Sequence, residues 1–199
     1  MSSSQDWLGL QGQVCVVTGA ASGIGAAVAS SLAAVGARVA LLDRDVEGAE
    51  RGAAALRAQG AQALAVGCDI SNEASVLAAA QQVQAELGTT YALINNAGLL
   101  RSGSLTDVSL DDWNAVLSVN LTGYLLCSRA FSAPMRRAGQ GSIVNIASIS
   151  GLFPQTGSGA YSASKAGVLL LSRQMAVEWG PLGLRSNAIC PGMIRTALS

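Results

Sequence analysis

The stretch Val14-Cys15-Val16-Val17-Thr18-Gly19-Ala20-Ala21-Ser22-Gly23-Ile24-Gly25 decides the fold. Its first part is apolar up to the threonine. It reads as a strand buried on both faces, as in a parallel sheet covered by helices. Three glycines follow at once and open an Ala-rich segment. Gly19 permits a tight turn, Gly23 lets backbone approach a diphosphate, and Gly25 lets the helix pack closely on the sheet. Ser22 and Ile24 share this turn. Backbone N–H groups at the helix start then favour an anion. The Gly-x3-Gly-x-Gly spacing differs from the commonest dinucleotide fingerprint. No Lys-Ser/Thr follows it, which argues against a nucleoside-triphosphate loop.

Outward from this loop, short apolar runs alternate with longer amphipathic segments. Strands are predicted at residues 14–18, 38–42, 63–66, 92–95, 142–147 and 186–189. Helices are predicted at 23–35, 46–59, 73–87, 111–137 and 161–179. Ser109 followed by Asp112 resembles a capping box for the fourth helix. The alternation implies right-handed βαβ units and a doubly wound parallel sheet, fold class α/β. Ligands of such sheets sit beyond the carboxyl ends of the strands. No linker, charge block or repeat interrupts the chain, so 1–199 reads as a single domain. The second strand runs into Asp43. An acidic residue there suits a ribose diol and repels a 2′-phosphate, which favours NAD over NADP. Arg44 next door is a residue type that can accommodate that phosphate.

Half the residues are hydrophobic and 12% are charged, with 12 cations against 12 anions. Nothing draws the chain to nucleic acid or an acidic membrane. There is no histidine. That excludes a Ser-His-Asp triad, a His zinc site and a His base. Acid/base chemistry must use Tyr, Lys, Cys, Asp or Glu. Cys15, Cys68, Cys127 and Cys190 are scattered singly and read as core thiols; no metal site is expected. The N-terminus lacks a signal-peptide pattern and no apolar run spans a bilayer, so a soluble cytoplasmic protein is expected.

Further motifs follow the glycine loop in order. Asn95-Asn96-Ala97-Gly98 comes after the fourth strand, and Pro191-Gly192 after the sixth. Ser148 stands thirteen positions before Tyr161, within Tyr161-Ser162-Ala163-Ser164-Lys165. Together these resemble the short-chain dehydrogenase/reductase family over nearly the whole chain. The resemblance implies a Rossmann sheet in the order 3-2-1-4-5-6. It implies hydride transfer between a nicotinamide cofactor and an alcohol or carbonyl. It also implies that Asp69, beside Ile70, meets the adenine, and that Asn96 and Gly98 lie near the cofactor. Pro191, Gly192, Ile194 and Thr196 would hold the nicotinamide end, and Asn120 would complete the catalytic group.

Tyr161 and Lys165 are four apart on a predicted helix and share a face. A free tyrosine has a pKa near 10, and a nearby ammonium is expected to lower it. Tyr161 is expected to exchange the proton of the alcohol or carbonyl. Lys165 would also hold the nicotinamide ribose. Ser148 would bond the substrate oxygen and stabilise its developing charge. Asn120 would fix Lys165 through water and feed a proton path. The cofactor supplies the hydride chemistry. Phe153, Gln155 and Met193, with Ser148 and Tyr161, would face the substrate. Leu100, Ile149 and Leu152 extend this mostly apolar rim. A medium-sized, hydrophobic secondary alcohol or ketone is expected.

Three competing readings stay open. An inactive nucleotide-binding regulator would keep the loop but lose the catalytic set, which is retained. An epimerase or dehydratase would share Tyr-x3-Lys but usually spaces the glycines as Gly-x2-Gly-x2-Gly. An NADP-dependent 3-oxoacyl reductase usually carries basic docking residues. Family members continue several dozen residues beyond Pro191-Gly192 with a substrate-covering loop, a helix and a seventh strand. The chain, ending at Ser199, is therefore expected to be incomplete, with the seventh strand missing. The resemblance also implies a homodimer through helices 111–137 and 161–179, or a homotetramer.

Overall fold

Strand β1 (Val14–Thr18) is buried along its whole length. Its side chains alternate between two cores. Val14 and Val16 join one with Leu93, Phe131 and Ile143. Cys15 and Val17 join the other with Val39, Leu41 and Ile94. Such division is what an apolar strand achieves with helices on both faces. The computed structural model describes residues 8–195, so Thr196 lies outside the described residues.

The remaining strands are β2 (Arg38–Asp43), β3 (Ala63–Gly67), β4 (Thr90–Asn95), β5 (Gly141–Ile146) and β6 (Leu184–Ile189). They form one parallel sheet in the order β3-β2-β1-β4-β5-β6. The order reverses between β1 and β4, and a crevice opens there at the carboxyl ends. The helices are α1 (Gly23–Ala34), α2 (Val46–Ala58), α3 (Glu73–Glu86), α4 (Leu110–Leu117), α5 (Gly123–Ala138) and α6 (Gly159–Trp179). Side-chain caps start three of them. Asp45, Asn72 and Ser109 accept from the backbone N–H of Gly48, Ser75 and Asp112. Each satisfies a donor that the first turn leaves without a helical partner.

The structure corrects the sequence reading at the fourth helix. Residues 111–137 are not one continuous helix. A π-turn, Ser118–Thr122, separates α4 from α5. Such turns insert one extra residue and occur often at functional sites. β4 and β6 each begin two residues earlier than the apolar runs suggest, because Thr90 and Arg185 join the ladder through their backbones.

Cys15, Cys68 and Cys127 are buried free thiols, and Cys190 is half-buried. Among the described residues, no helix is long and apolar enough to cross a membrane.

Candidate active site

A cleft of about 370 Å³ lies at the carboxyl ends of β1 to β4. Gly19, Ser22, Gly23, Ile24, Asp43, Asp69, Ile70, Asn96 and Gly98 all line it, as do Arg44 and Leu99. Gly19 and Gly23 hold positive φ angles of 65° and 56°, which glycine adopts freely. A Cβ on Gly19 would lie 2.6 Å from Ala97 Cα. One on Gly25 would lie 2.1 Å from the Gly19 carbonyl oxygen. Gly25 is therefore needed for contact with the glycine turn itself, rather than with the sheet. Ser22, at the start of α1, makes no capping bond with its side chain. The first N–H groups of α1 are left for an anion in the cleft.

Two side chains fix this cradle. The Asn96 amide donates to the carbonyls of Thr18 (2.9 Å) and Gly19 (3.1 Å). Asp43 accepts from Ala21 N–H and Asp45 N–H, each at 3.0 Å. Its carboxylate is thus held at the mouth beside the glycine loop. Asp69 accepts from both the backbone and the hydroxyl of Ser71.

Two supporting residues escaped the sequence reading. The Thr18 hydroxyl accepts from the backbone N–H of Asn96 and Ala97 and donates to Ile94 O. A Cβ on Gly123 would lie 2.7 Å from Ile70 Cδ1, so this glycine lets α5 begin against the turn carrying Ile70. A glycine inside an apolar helix costs about 1 kcal/mol, a signal that could have marked it.

Beyond the cleft lie Tyr161 and Lys165, on the first turns of α6. Lys165, the chain's sole lysine, is 3% exposed. Its ammonium donates to Ile146 O at 2.8 Å and to the Tyr124 hydroxyl at 3.4 Å. It stands 5.6 Å from the Tyr161 ring centroid. Burial pushes its pKa down to about 8. Burial pushes the Tyr161 phenol up from its usual value, and a hydrogen bond from Ser148 opposes that rise. The expected lowering by Lys165 is thus corrected. Desolvation dominates at Tyr161, and the ammonium is directed to the Ile146 carbonyl.

Ser148 follows β5, and its hydroxyl accepts from Ser150 N–H at the head of a short 3₁₀ turn, Ile149–Gly151. That turn presses on α6, where a Cβ on Gly151 would lie 2.7 Å from the Lys165 carbonyl carbon. Asn120 sits fully buried in the π-turn. Its side chain accepts from Leu99 N–H (2.7 Å) and donates to Leu99 O (2.9 Å) and the Ser164 hydroxyl (3.0 Å). Ser164 in turn donates to Tyr161 O at 2.7 Å. The direct link from Asn120 to α6 is through Ser164.

The substrate-side residues are more open. Phe153 is 74% and Met193 95% exposed, and Gln155, Ile149 and Leu152 are exposed too. Pro191 O accepts from Ile149 N–H, and Gly192 adjoins the Ile149 side chain. Pro191 and Gly192 flank this rim, and neither they nor Ile194 line the cleft. The loop after β4 is latched across to it, with Gly103 N–H donating to Gly157 O at 2.8 Å.

A switch-point cleft built on a glycine turn, beside a helix presenting tyrosine and lysine, defines a dinucleotide-dependent oxidoreductase fold. Residues 13–199 match the sequence profile of the short chain dehydrogenase family. The chain belongs to that family, and it is an oxidoreductase acting on CH–OH groups. It is 44% identical over 189 residues to D-threitol dehydrogenase of Mycolicibacterium smegmatis, covering 95% of this chain and 73% of that protein. It is 39% identical over 191 residues to 3-alpha-(or 20-beta)-hydroxysteroid dehydrogenase of Mycobacterium tuberculosis, covering 96% and 72%. Among solved structures it resembles NAD+-bound xylitol dehydrogenase, with a TM-score of 0.90, 36% identity and coverage of 92% and 71%. It also resembles a short chain dehydrogenase/reductase from Burkholderia phymatum in complex with NAD, with a TM-score of 0.92, 34% identity and coverage of 95% and 68%.

Proposed function

We propose that the protein moves a hydride between NAD(H) and an apolar secondary alcohol or ketone, with Tyr161 as acid/base. The observation that carries this reading is the placement of Tyr161, Ser148 and buried Lys165 next to the glycine cleft. The cleft fits a dinucleotide: added Cβ atoms would clash at Gly19 and Gly25, and the start of α1 lacks a side-chain cap. Asp43 would take the ribose diol and disfavour a 2′-phosphate. Asp69 and Ile70 would meet the adenine. Pro191, Gly192, Ile194 and Thr196 would hold the nicotinamide end.

NAD supplies the hydride acceptor or donor. The phenol of Tyr161, its pKa raised, is neutral at pH 7 and gives its proton to the carbonyl oxygen in reduction. In oxidation the phenolate takes the alcohol proton. Ser148 holds the same oxygen by hydrogen bonding. Lys165, charged below pH about 8, holds the nicotinamide ribose. Asn120 keeps α6 in place through Ser164. The exposed rim of Ile149, Leu152, Phe153 and Met193 supports an apolar substrate. Exposed Leu125, Leu170 and Val177 on α5 and α6 support a homodimer through those helices.

The test is reduction of NAD and NADP with a panel of apolar alcohols and polyols, using parent protein and Tyr161→Phe. Loss of the acid/base should lower turnover by about 10²–10⁴. Full activity in the variant would falsify the role of Tyr161. Preference for polyols would refute the apolar substrate.

A further inference from the structure

We propose that Tyr124 is a positioning residue for Lys165, seating its ammonium with a buried phenol oxygen. The proposal rests on the role given to Lys165 above. Tyr124 is fully buried on the first turn of α5. Its hydroxyl donates to Ile146 O at 3.0 Å. That same carbonyl accepts from Lys165 Nζ at 2.8 Å, and the nitrogen also donates to the Tyr124 oxygen at 3.4 Å. The carbonyl, phenol and ammonium therefore form a closed triangle. The ring adds a further contact, with Nζ 5.2 Å from its centroid.

This triangle answers a physical problem. A buried ammonium without a counter-ion tends to lose its proton. Among the described residues, no carboxylate forms an ion pair with Lys165. The titratable side chains beside it are two phenols, Tyr124 from α5 and Tyr161 on α6 itself. The β5 end contributes only the Ile146 carbonyl. Oriented dipoles of the Ile146 carbonyl and the Tyr124 phenol thus take the place of a negative charge. Tyr124 does not act as an acid or base. Burial first, and then the neighbouring Tyr161, push its phenol far above the working pH range. Its oxygen accepts and its proton stays on.

The π-turn places two residues that hydrogen-bond to α6. Asn120, within it, bonds to Ser164, while Tyr124, just after it, bonds to Lys165. One residue steadies the helix backbone and the other steadies the charge.

The variant Tyr124→Phe removes a single oxygen and keeps the ring. With the fold verified by circular dichroism, its pH–rate profile in the reduction direction should lose activity at lower pH than the parent. A shift of about half a unit or more is expected. An alkaline limb that stays in place or moves up overturns the proposal. A second readout is independent of turnover. The sole lysine gives one set of side-chain NMR signals, and its titration should move down in Tyr124→Phe. In the parent protein its ε-methylene protons should show ring-current shifts and cross-peaks to the Tyr124 ring; their absence also overturns the proposal. If the NMR contact is present while Lys165→Met retains activity, the seat stands and the catalytic role of Lys165 is what fails.

Discussion

Asn96 reaches back across the switch point to Gly19, its side-chain amide donating to the glycine carbonyl at 3.1 Å and to the neighbouring Thr18 carbonyl at 2.9 Å. One side chain thus joins the end of β4 to the turn after β1. Asn96→Ala leaves both carbonyls without this donor. Stability should fall by about 1–3 kcal/mol, and affinity for NAD should weaken with the loosened turn. Urea titration and calorimetry measure the two effects. Unchanged NAD affinity would show that the clamp is structural only.

Asp43 tests cofactor choice. Asp43→Asn keeps an acceptor for the Ala21 N–H but removes the charge. The ratio of kcat/KM for NAD over NADP should drop by roughly tenfold or more, as a like-charge repulsion is relieved. A ratio that does not move would transfer the discrimination to another residue.

Activity should follow pH in a direction set by Lys165 and Tyr161. In reduction both groups work in their protonated forms. The rate should be flat near neutrality and fall as pH rises through about 8, where Lys165 loses its proton. In oxidation the raised phenol pKa should make activity climb above neutrality before that loss takes over. Profiles in both directions, on one substrate pair, check the opposition.

Stability should trade against function at Lys165. Its pKa in the folded state is lowered to about 8 from 10.5, so the unfolded chain holds that proton more tightly. The penalty, on the order of 3 kcal/mol, is fully present below pH 8. It fades as pH rises from about 8 to 10.5. Lys165→Met should therefore be more stable than the parent at pH 7, by about 1–3 kcal/mol, while losing turnover. Denaturation of the pair at pH 7 and pH 10 should show the gap narrowing. A gap of the opposite sign would place the lysine among stabilising contacts.

Much of this was readable from sequence. The helix-covered parallel sheet followed from strands such as Val14–Thr18, whose apolar runs suit burial on both faces, and its order from the family resemblance. The glycine loop was readable because Gly19 and Gly23 need backbone angles that other residues resist. The π-turn was not readable. Gly123 within residues 111–137 hints at a break but not at its kind, and the extra residue is tied down by bonds from Asn120 to Leu99 and Ser164, distant in the chain. The direction of the Tyr161 shift was misread for a related reason. Spacing of four put Lys165 on its face, but burial and the pull of the Ile146 carbonyl belong to the folded core.

The π-turn also sets a condition on chain length. Each residue of a regular helix turns the chain by about 100°. The wide turn absorbs one such step, so deleting one residue within Ser118–Thr122 would join α4 and α5 as one regular helix in the same phase. What would go is the widened turn that carries Asn120 to Leu99 and Ser164. A one-residue deletion here should therefore spare the helices and cost the site.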